Sequence, residues 1–213
     1  MVRCRHLVAL YAASLFLLSS LGFAQAAKLA VVSVNNGLPI TAGTPFSVVV
    51  VSQTAGGALD TVTAATGVSL TVTTGTSTLA GTTTGTIPAG KDSIVFSGLS
   101  YTKAENIVLT ATRTSGNPLT SGSSGSIVVN PGAAAKIIVE TAVDGSGTVF
   151  PAQSLQSGTS TATMYAISRD QFNNFIGNVA ADSWSLVTPT GGVVASDLTT
   201  SSGRRNATFT GHL

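Results

Sequence analysis

The chain has 213 residues, of which 43% are hydrophobic and only 8% charged, against roughly 25% charged in an average globular protein. Beyond residue 26, the basic side chains Lys28, Lys91, Lys103, Lys136, Arg113, Arg169, Arg204 and Arg205 are matched one for one by Asp60, Asp92, Glu105, Glu140, Asp144, Asp170, Asp182 and Asp197. Zero net charge with no basic patch excludes nucleic acid as a natural partner, and the apolar content excludes a disordered chain.

The first element is a leader, residues 1–26. Arg3 and Arg5 make a basic start, residues 7–21 form an apolar run around Leu15-Phe16-Leu17-Leu18, and Ala24-Gln25-Ala26 supplies the small-x-small pattern that a signal peptidase cuts. This predicts a signal helix removed ahead of Ala27, and a secreted or cell-surface product. The alternative is a retained anchor, because residues 7–27 carry no charge and match a minimal membrane span of roughly 20 residues. Ser14, Ser19, Ser20, Gly22 and Gln25 dilute that run and favour cleavage, after which no membrane insertion is expected. Cys4, the only cysteine, lies in the leader, so the exported part has no disulfide and no thiolate ligand. A cystine-free exported chain fits a bacterial surface better than a eukaryotic one.

Short apolar segments then recur, each bounded by Gly, Pro, Asn or Ser. Strands are predicted at residues 28–34, 45–53, 67–73, 93–99, 107–114 and 126–130. In residues 67–73, Val68, Leu70 and Val72 alternate with Ser69, Thr71 and Thr73, the period of a half-buried strand. About seven strands in about 100 residues is the pattern of an immunoglobulin-like sandwich, here placed at residues 27–132.

After the turn-like Asn130-Pro131-Gly132-Ala133 the chain restarts. Ala27-Lys28-Leu29-Ala30-Val31-Val32 is echoed by Ala135-Lys136-Ile137-Ile138-Val139, Val68-Ser69-Leu70 by Trp184-Ser185-Leu186, and Phe96-Ser97-Gly98-Leu99 by Phe209-Thr210-Gly211-His212-Leu213. The expected fold class is all-β: tandem immunoglobulin-like antiparallel sandwiches behind a signal helix, with the second unit at residues 133–213. The first unit continues for two strands past Phe96-Ser97-Gly98, whereas the second stops directly after its echo. The expectation is therefore a truncated second unit and a natural protein that continues.

Candidate chemistry is sparse. Gly85-Thr86-Ile87-Pro88-Ala89-Gly90-Lys91 has the spacing of a phosphate-binding loop, but Asp92 stands where a magnesium-binding Ser or Thr belongs, and both flanks read as strands. A hairpin turn is expected instead. His212 is the only histidine beyond the leader, and no Gly-x-Ser-x-Gly elbow accompanies it, so no nucleophilic triad is expected. Trp184, the only tryptophan, alternates with Ser183 and Ser185 and reads as a core residue of a strand. The most distinctive polar cluster is Asp170-Gln171-Phe172-Asn173-Asn174. Asp170, Asn173 and Asn174 offer the oxygen ligands of a calcium site, without the spacing of a D-x-D-x-D-G loop. The competing reading is a turn after a strand at 164–168, with Asp and Asn side chains bonded to local backbone. Asn206-Ala207-Thr208 matches a glycosylation sequon inside a predicted strand.

The segments Ala42-Gly43-Thr44-Pro45-Phe46, Phe96-Ser97-Gly98-Leu99 and Asn130-Pro131-Gly132-Ala133-Ala134-Ala135-Lys136 resemble bacterial immunoglobulin-like repeats of the invasin and adhesin type. Tyr165-Ala166-Ile167-Ser168-Arg169-Asp170-Gln171-Phe172-Asn173-Asn174 resembles their A-x-D-x-x-G-N turn, with Asn173 in place of the Gly, while residues 53–59 have lost the Asp. The resemblance implies a non-enzymatic stalk or spacer in a larger cell-surface or secreted protein, with no cofactor and no catalytic residues. Its partners would be neighbouring repeats, glycans or surface proteins. The alternative is a carbohydrate- or calcium-binding accessory module of an exported hydrolase.

Overall fold

A computed structural model describes residues 25–158 and 160–211, so most of the leader, including its apolar run, and His212 lie outside the described residues. The described chain is all-β. Its only helical elements are two single 3₁₀ turns, Asn35–Gly37 and Ala195–Asp197, and no helix among the described residues is long and apolar enough to cross a membrane.

Nine strands form the N-terminal part: β1 (Lys28–Val34), β2 (Ile40–Thr41), β3 (Phe46–Gln53), β4 (Thr66–Thr74), β5 (Thr84–Ile87), β6 (Ser93–Leu99), β7 (Asn106–Arg113), β8 (Gly122–Ser123) and β9 (Ile127–Asn130). They make two sheets, β1-β3-β6 and β2-β9-β7-β4-β5, with β8 on β7. Every pairing is antiparallel except β2 with β9. β-branched residues favour these strands because their side chains pack on a pleated surface. The period of two then turns Phe46, Val48 and Val50 of β3 inward, against Leu70 of β4 and Ile107 and Leu109 of β7, to close a sandwich core. The alternating segment read at 67–73 is β4, and five further expected strands occur within a residue or so of their predicted ends.

Two expectations change. Residues 88–92 do not close a hairpin, because β5 pairs with β4 in one sheet and β6 pairs with β3 in the other. That loop carries the chain across the sandwich. Trp184 lies in no strand; it is half-buried in a loop, where its Nε1 donates to the Arg204 carbonyl at 2.9 Å.

The C-terminal part contains β10 (Ala134–Glu140), β11 (Thr161–Asp170), β12 (Phe175–Asn178), β13 (Leu198–Thr200) and β14 (Asn206–Thr210), joined as one sheet in the order β10-β11-β14-β13 with β12 also on β11. Its registers echo those of β1 and β3. Leu29 lies opposite Ser52 and Ile137 opposite Ser168; Val31 lies opposite Val50 and Val139 opposite Ala166. Environment is where they part. Leu29 is 1% exposed beneath the second sheet of the sandwich, whereas Ile137 is 60% exposed. The Phe209 echo is displaced: Phe209 pairs with Ala162, which corresponds to Phe46, and Phe46 pairs with Leu99 rather than with Phe96.

One buried polar post ties the corner between β6 and β7. The Tyr101 hydroxyl donates to Glu105 Oε1 at 2.5 Å and accepts from the Ser77 N–H at 2.9 Å, and the Thr76 N–H donates to the same carboxylate oxygen at 2.7 Å. Burial, and then the Glu105 bond, raises the Tyr101 phenol above its ordinary value. Burial works against the Glu105 carboxylate too, but the Tyr101 hydroxyl and the Thr76 donors outweigh it and hold that carboxyl below its ordinary value. Tyr101→Phe leaves the Ser77 N–H without its partner and is expected to lower stability by about 1–3 kcal/mol. Urea unfolding at neutral pH checks this; a midpoint equal to that of the wild type would count against the post.

Candidate functional site

The polar cluster at residues 170–174 is the best-formed site in the described chain. β11 ends at Asp170, and a three-residue loop, 171–173, closed between Asp170 and Asn174, leads the chain to β12 at Phe175. The Asp170 N–H donates to the Asn174 carbonyl at 3.1 Å, and the Asn173 N–H donates to the Asp170 carbonyl at 3.2 Å. Asn173 adopts φ +72°, a left-handed conformation that Asn tolerates better than most residues and that such three-residue hairpin loops require.

Asp170 is fully buried, and four donors reach its carboxylate. Oδ1 accepts the Phe172 N–H at 2.9 Å and the Asn174 N–H at 2.8 Å; Oδ2 accepts the Gly132 N–H at 2.9 Å and the Asn174 Nδ2 at 2.8 Å. Burial alone would raise this carboxyl. The hydrogen bonds from Asn174, Gly132 and Phe172 outweigh it and hold Asp170 below the ordinary aspartate value. Asn174 is spent just as fully: Oδ1 accepts the Ala104 N–H at 2.8 Å, and Nδ2 also donates to the Thr102 carbonyl at 2.8 Å.

The partners Thr102, Ala104 and Gly132 belong to the N-terminal sandwich and its exit. The cluster is thus a joint, bonded to the backbone on both sides of it. Phe172 completes the joint. A Cβ on Gly43, which sits at φ +78°, would lie 2.3 Å from the Phe172 ring, so only glycine lets the ring rest there. From the other side, Arg169 braces the loop. It forms a two-pronged ion pair with Glu140, Nε to Oε1 at 2.5 Å and Nη2 to Oε2 at 2.8 Å, and donates to the carbonyls of Gly145 and Asn173, each at 2.8 Å. The Glu140 bond, opposed by burial, raises the already high Arg169 value.

This geometry bears directly on the calcium reading. Two carboxylate oxygens accept four N–H bonds, and the Asn174 oxygen accepts a fifth, so a cation would have to displace donors that hold the fold. Asn173 is exposed, and its carbonyl is taken by Arg169. Among the described residues no group of three or more His, Cys, Asp or Glu side chains could hold a metal. The signal for the local turn was legible in the Asp and Asn spacing. The bonds to Thr102, Ala104 and Gly132 were not, because backbone groups some 40 to 70 residues away leave no mark in composition.

Three clefts of the described residues add no acid–base pair. A groove between β1 and residues 124–128, lined by Val31, Val34, Leu38, Ile127 and Val128, carries no titratable side chain. The cleft beside the joint, between Ala42–Thr44, Gly132–Ala135 and Gln171, carries none either. Asp197, in a cleft of the C-terminal part, accepts the Val194 N–H at 3.0 Å. Comparison with family models, with curated proteins and with solved structures finds no match for this chain.

Asp170→Ala strips four donors of one acceptor group and is expected to cost about 3 kcal/mol at neutral pH. Because the folded carboxyl is held low, its contribution is present above the unfolded value of about 3.9 and is lost as pH falls through the folded value. The gap between wild type and variant should therefore close in acid. Millimolar calcium should leave the melting temperature unchanged; a calcium-dependent rise that Asp170→Ala abolishes would restore the metal site.

Proposed function

We propose that this chain is a non-catalytic, exported segment of tandem immunoglobulin-like sandwiches, serving as a stalk or spacer, structural or adhesive, in a larger cell-surface or secreted protein. The observation that carries the reading is the joint at Asp170 and Asn174. It is made of saturated hydrogen bonds to backbone, which suits holding one unit against the next and leaves no group free for catalysis.

Strand order supports the immunoglobulin-like part. With β1, β3 and β6 taken as strands A, B and E, the opposing sheet becomes A′-G-F-C-C′ from β2, β9, β7, β4 and β5, the distribution expected of that sandwich class. Tyr101 at the turn between E and F stands where such sandwiches place a corner tyrosine, although its backbone partner, Ser77, lies further upstream than usual. Matching registers in β1–β3 and β10–β11 support two units. The leader pattern ahead of Ala27 supports export. The bare Ile137 and Val139 face, beside its covered counterpart in the first sandwich, leaves room for further β structure.

The rival reading, a glycan- or calcium-binding accessory module, rests on Trp184 and Asp170, and both are engaged in backbone hydrogen bonds. Small-angle scattering of residues 27–213 tests the proposal. Two linked bodies in line are expected, and a single compact particle would contradict it. Silence in calcium calorimetry and on a glycan array would remove the rival.

A further inference from the structure

The hairpin that carries the joint has a twin. In the loop after β3, the Thr54 N–H donates to the Ala58 carbonyl at 2.8 Å and the Gly57 N–H donates to the Thr54 carbonyl at 3.0 Å. These are the two bonds that close the 170–174 loop. Gly57 holds φ +93° where Asn173 holds +72°. The strand entering each loop agrees as well, since Gln53 bridges Leu59 as Arg169 pairs with Phe175. Position by position, Thr54 stands for Asp170, Gly56 for Phe172 and Ala58 for Asn174. The closing bonds match and every docking group is gone: no carboxylate, no ring, no amide. Ala58 is exposed, whereas Asn174 is buried.

We propose that the 170–174 loop is a docking plug that fixes a unit on the one before it, and that the 54–58 loop is the blank form of that plug, giving the first sandwich no means of seating on a unit in front of it. This rests on the tandem reading and adds a polarity to it. The receiving surface is defined by backbone: the Gly132 and Ala104 N–H groups, the Thr102 carbonyl and the bare Cα of Gly43. The partner it fits is therefore any sandwich with this end geometry and glycine at the position of Gly43, whatever its other side chains. Backbone recognition of this kind lets neighbouring units diverge in sequence while the angle between them is kept. Without the buried Asp170 and Asn174 bonds and the Phe172 ring, relative motion of the units is the default expectation for linked domains.

The test uses the full chain with Cys4→Ser, which removes the only native thiol, and spin labels at Ser97→Cys and Thr200→Cys, both exposed. Electron–electron distance measurement should give one narrow distribution. Converting the plug to the blank, Asp170→Thr with Phe172→Gly and Asn174→Ala, should broaden it about twofold or more while far-ultraviolet circular dichroism is unchanged. Thr, Gly and Ala already hold the three corresponding positions of the 54–58 hairpin, so the substituted residues have a precedent in a closed loop. Gly43→Ala, made on the receiving side, should broaden the distribution by pushing the Phe172 ring away, and it decides the matter if the triple variant does not fold. A distribution that stays narrow in these variants overturns the plug while leaving the two-unit reading in place. A broad distribution in the unmodified chain overturns it as well. A single compact particle in scattering would instead defeat the tandem reading itself.

Discussion

A buried carboxylate must be neutralised, paired or saturated with hydrogen bonds, and Asp170 is saturated. Its four donors come from its own hairpin and from Gly132 at the exit of the N-terminal sandwich. Asn174 continues the same chain of bonds to Thr102 and Ala104. Leaving any of these groups unpaired in a buried site would cost more than making the bond gains. The arrangement is therefore close to all-or-none: the hairpin, the end of β11 and the end of the first sandwich are specified together. Arg169 and Glu140 brace it from within the C-terminal part, so the joint is anchored in its own sheet before it touches the other.

The two halves reach stability by different routes. The first buries Leu29, Val48, Val50, Ile107 and Leu109 between two sheets, a continuous apolar core. The second has one sheet, and the buried apolar residues of its strands are mostly small: Ala162, Ala166 and Ala207, with Ile167. There polar contacts carry more of the specification, including the Arg169–Glu140 pair and the Asp170 network. For an ion pair as little exposed as this one, the cost of desolvation offsets much of the attraction, so its net contribution to stability is small.

Much of the fold was legible because its signals are local. Val68, Leu70 and Val72 alternate with Thr and Ser and declare β4 outright. Pro45 marks the start of β3, and Asn35-Asn36-Gly37 marks the end of β1. Misreadings arose where partner choice is non-local. Nothing in residues 85–92 says that β5 and β6 belong to opposite sheets, and the alternation around Trp184 is mimicked by a loop. The joint shows the same limit. Asp170 and Asn174 could be picked out by type and spacing, yet oxygen ligands for calcium and acceptors for backbone N–H groups look identical until the partners are in place. Gly43 stood out only within the Ala42–Phe46 segment that carries the resemblance, and nothing there showed that its importance is the absence of a Cβ beneath the Phe172 ring.

A lock formed by Asp170, Asn174 and Phe172 requires the C-terminal sheet and the N-terminal sandwich to share a single orientation. Residual dipolar couplings of backbone amides in residues 27–213, weakly aligned at neutral pH, test it most directly. One alignment tensor should fit residues 28–130 and 134–210 together. Two tensors of different magnitude would mean that the halves tumble separately, and would contradict the claim.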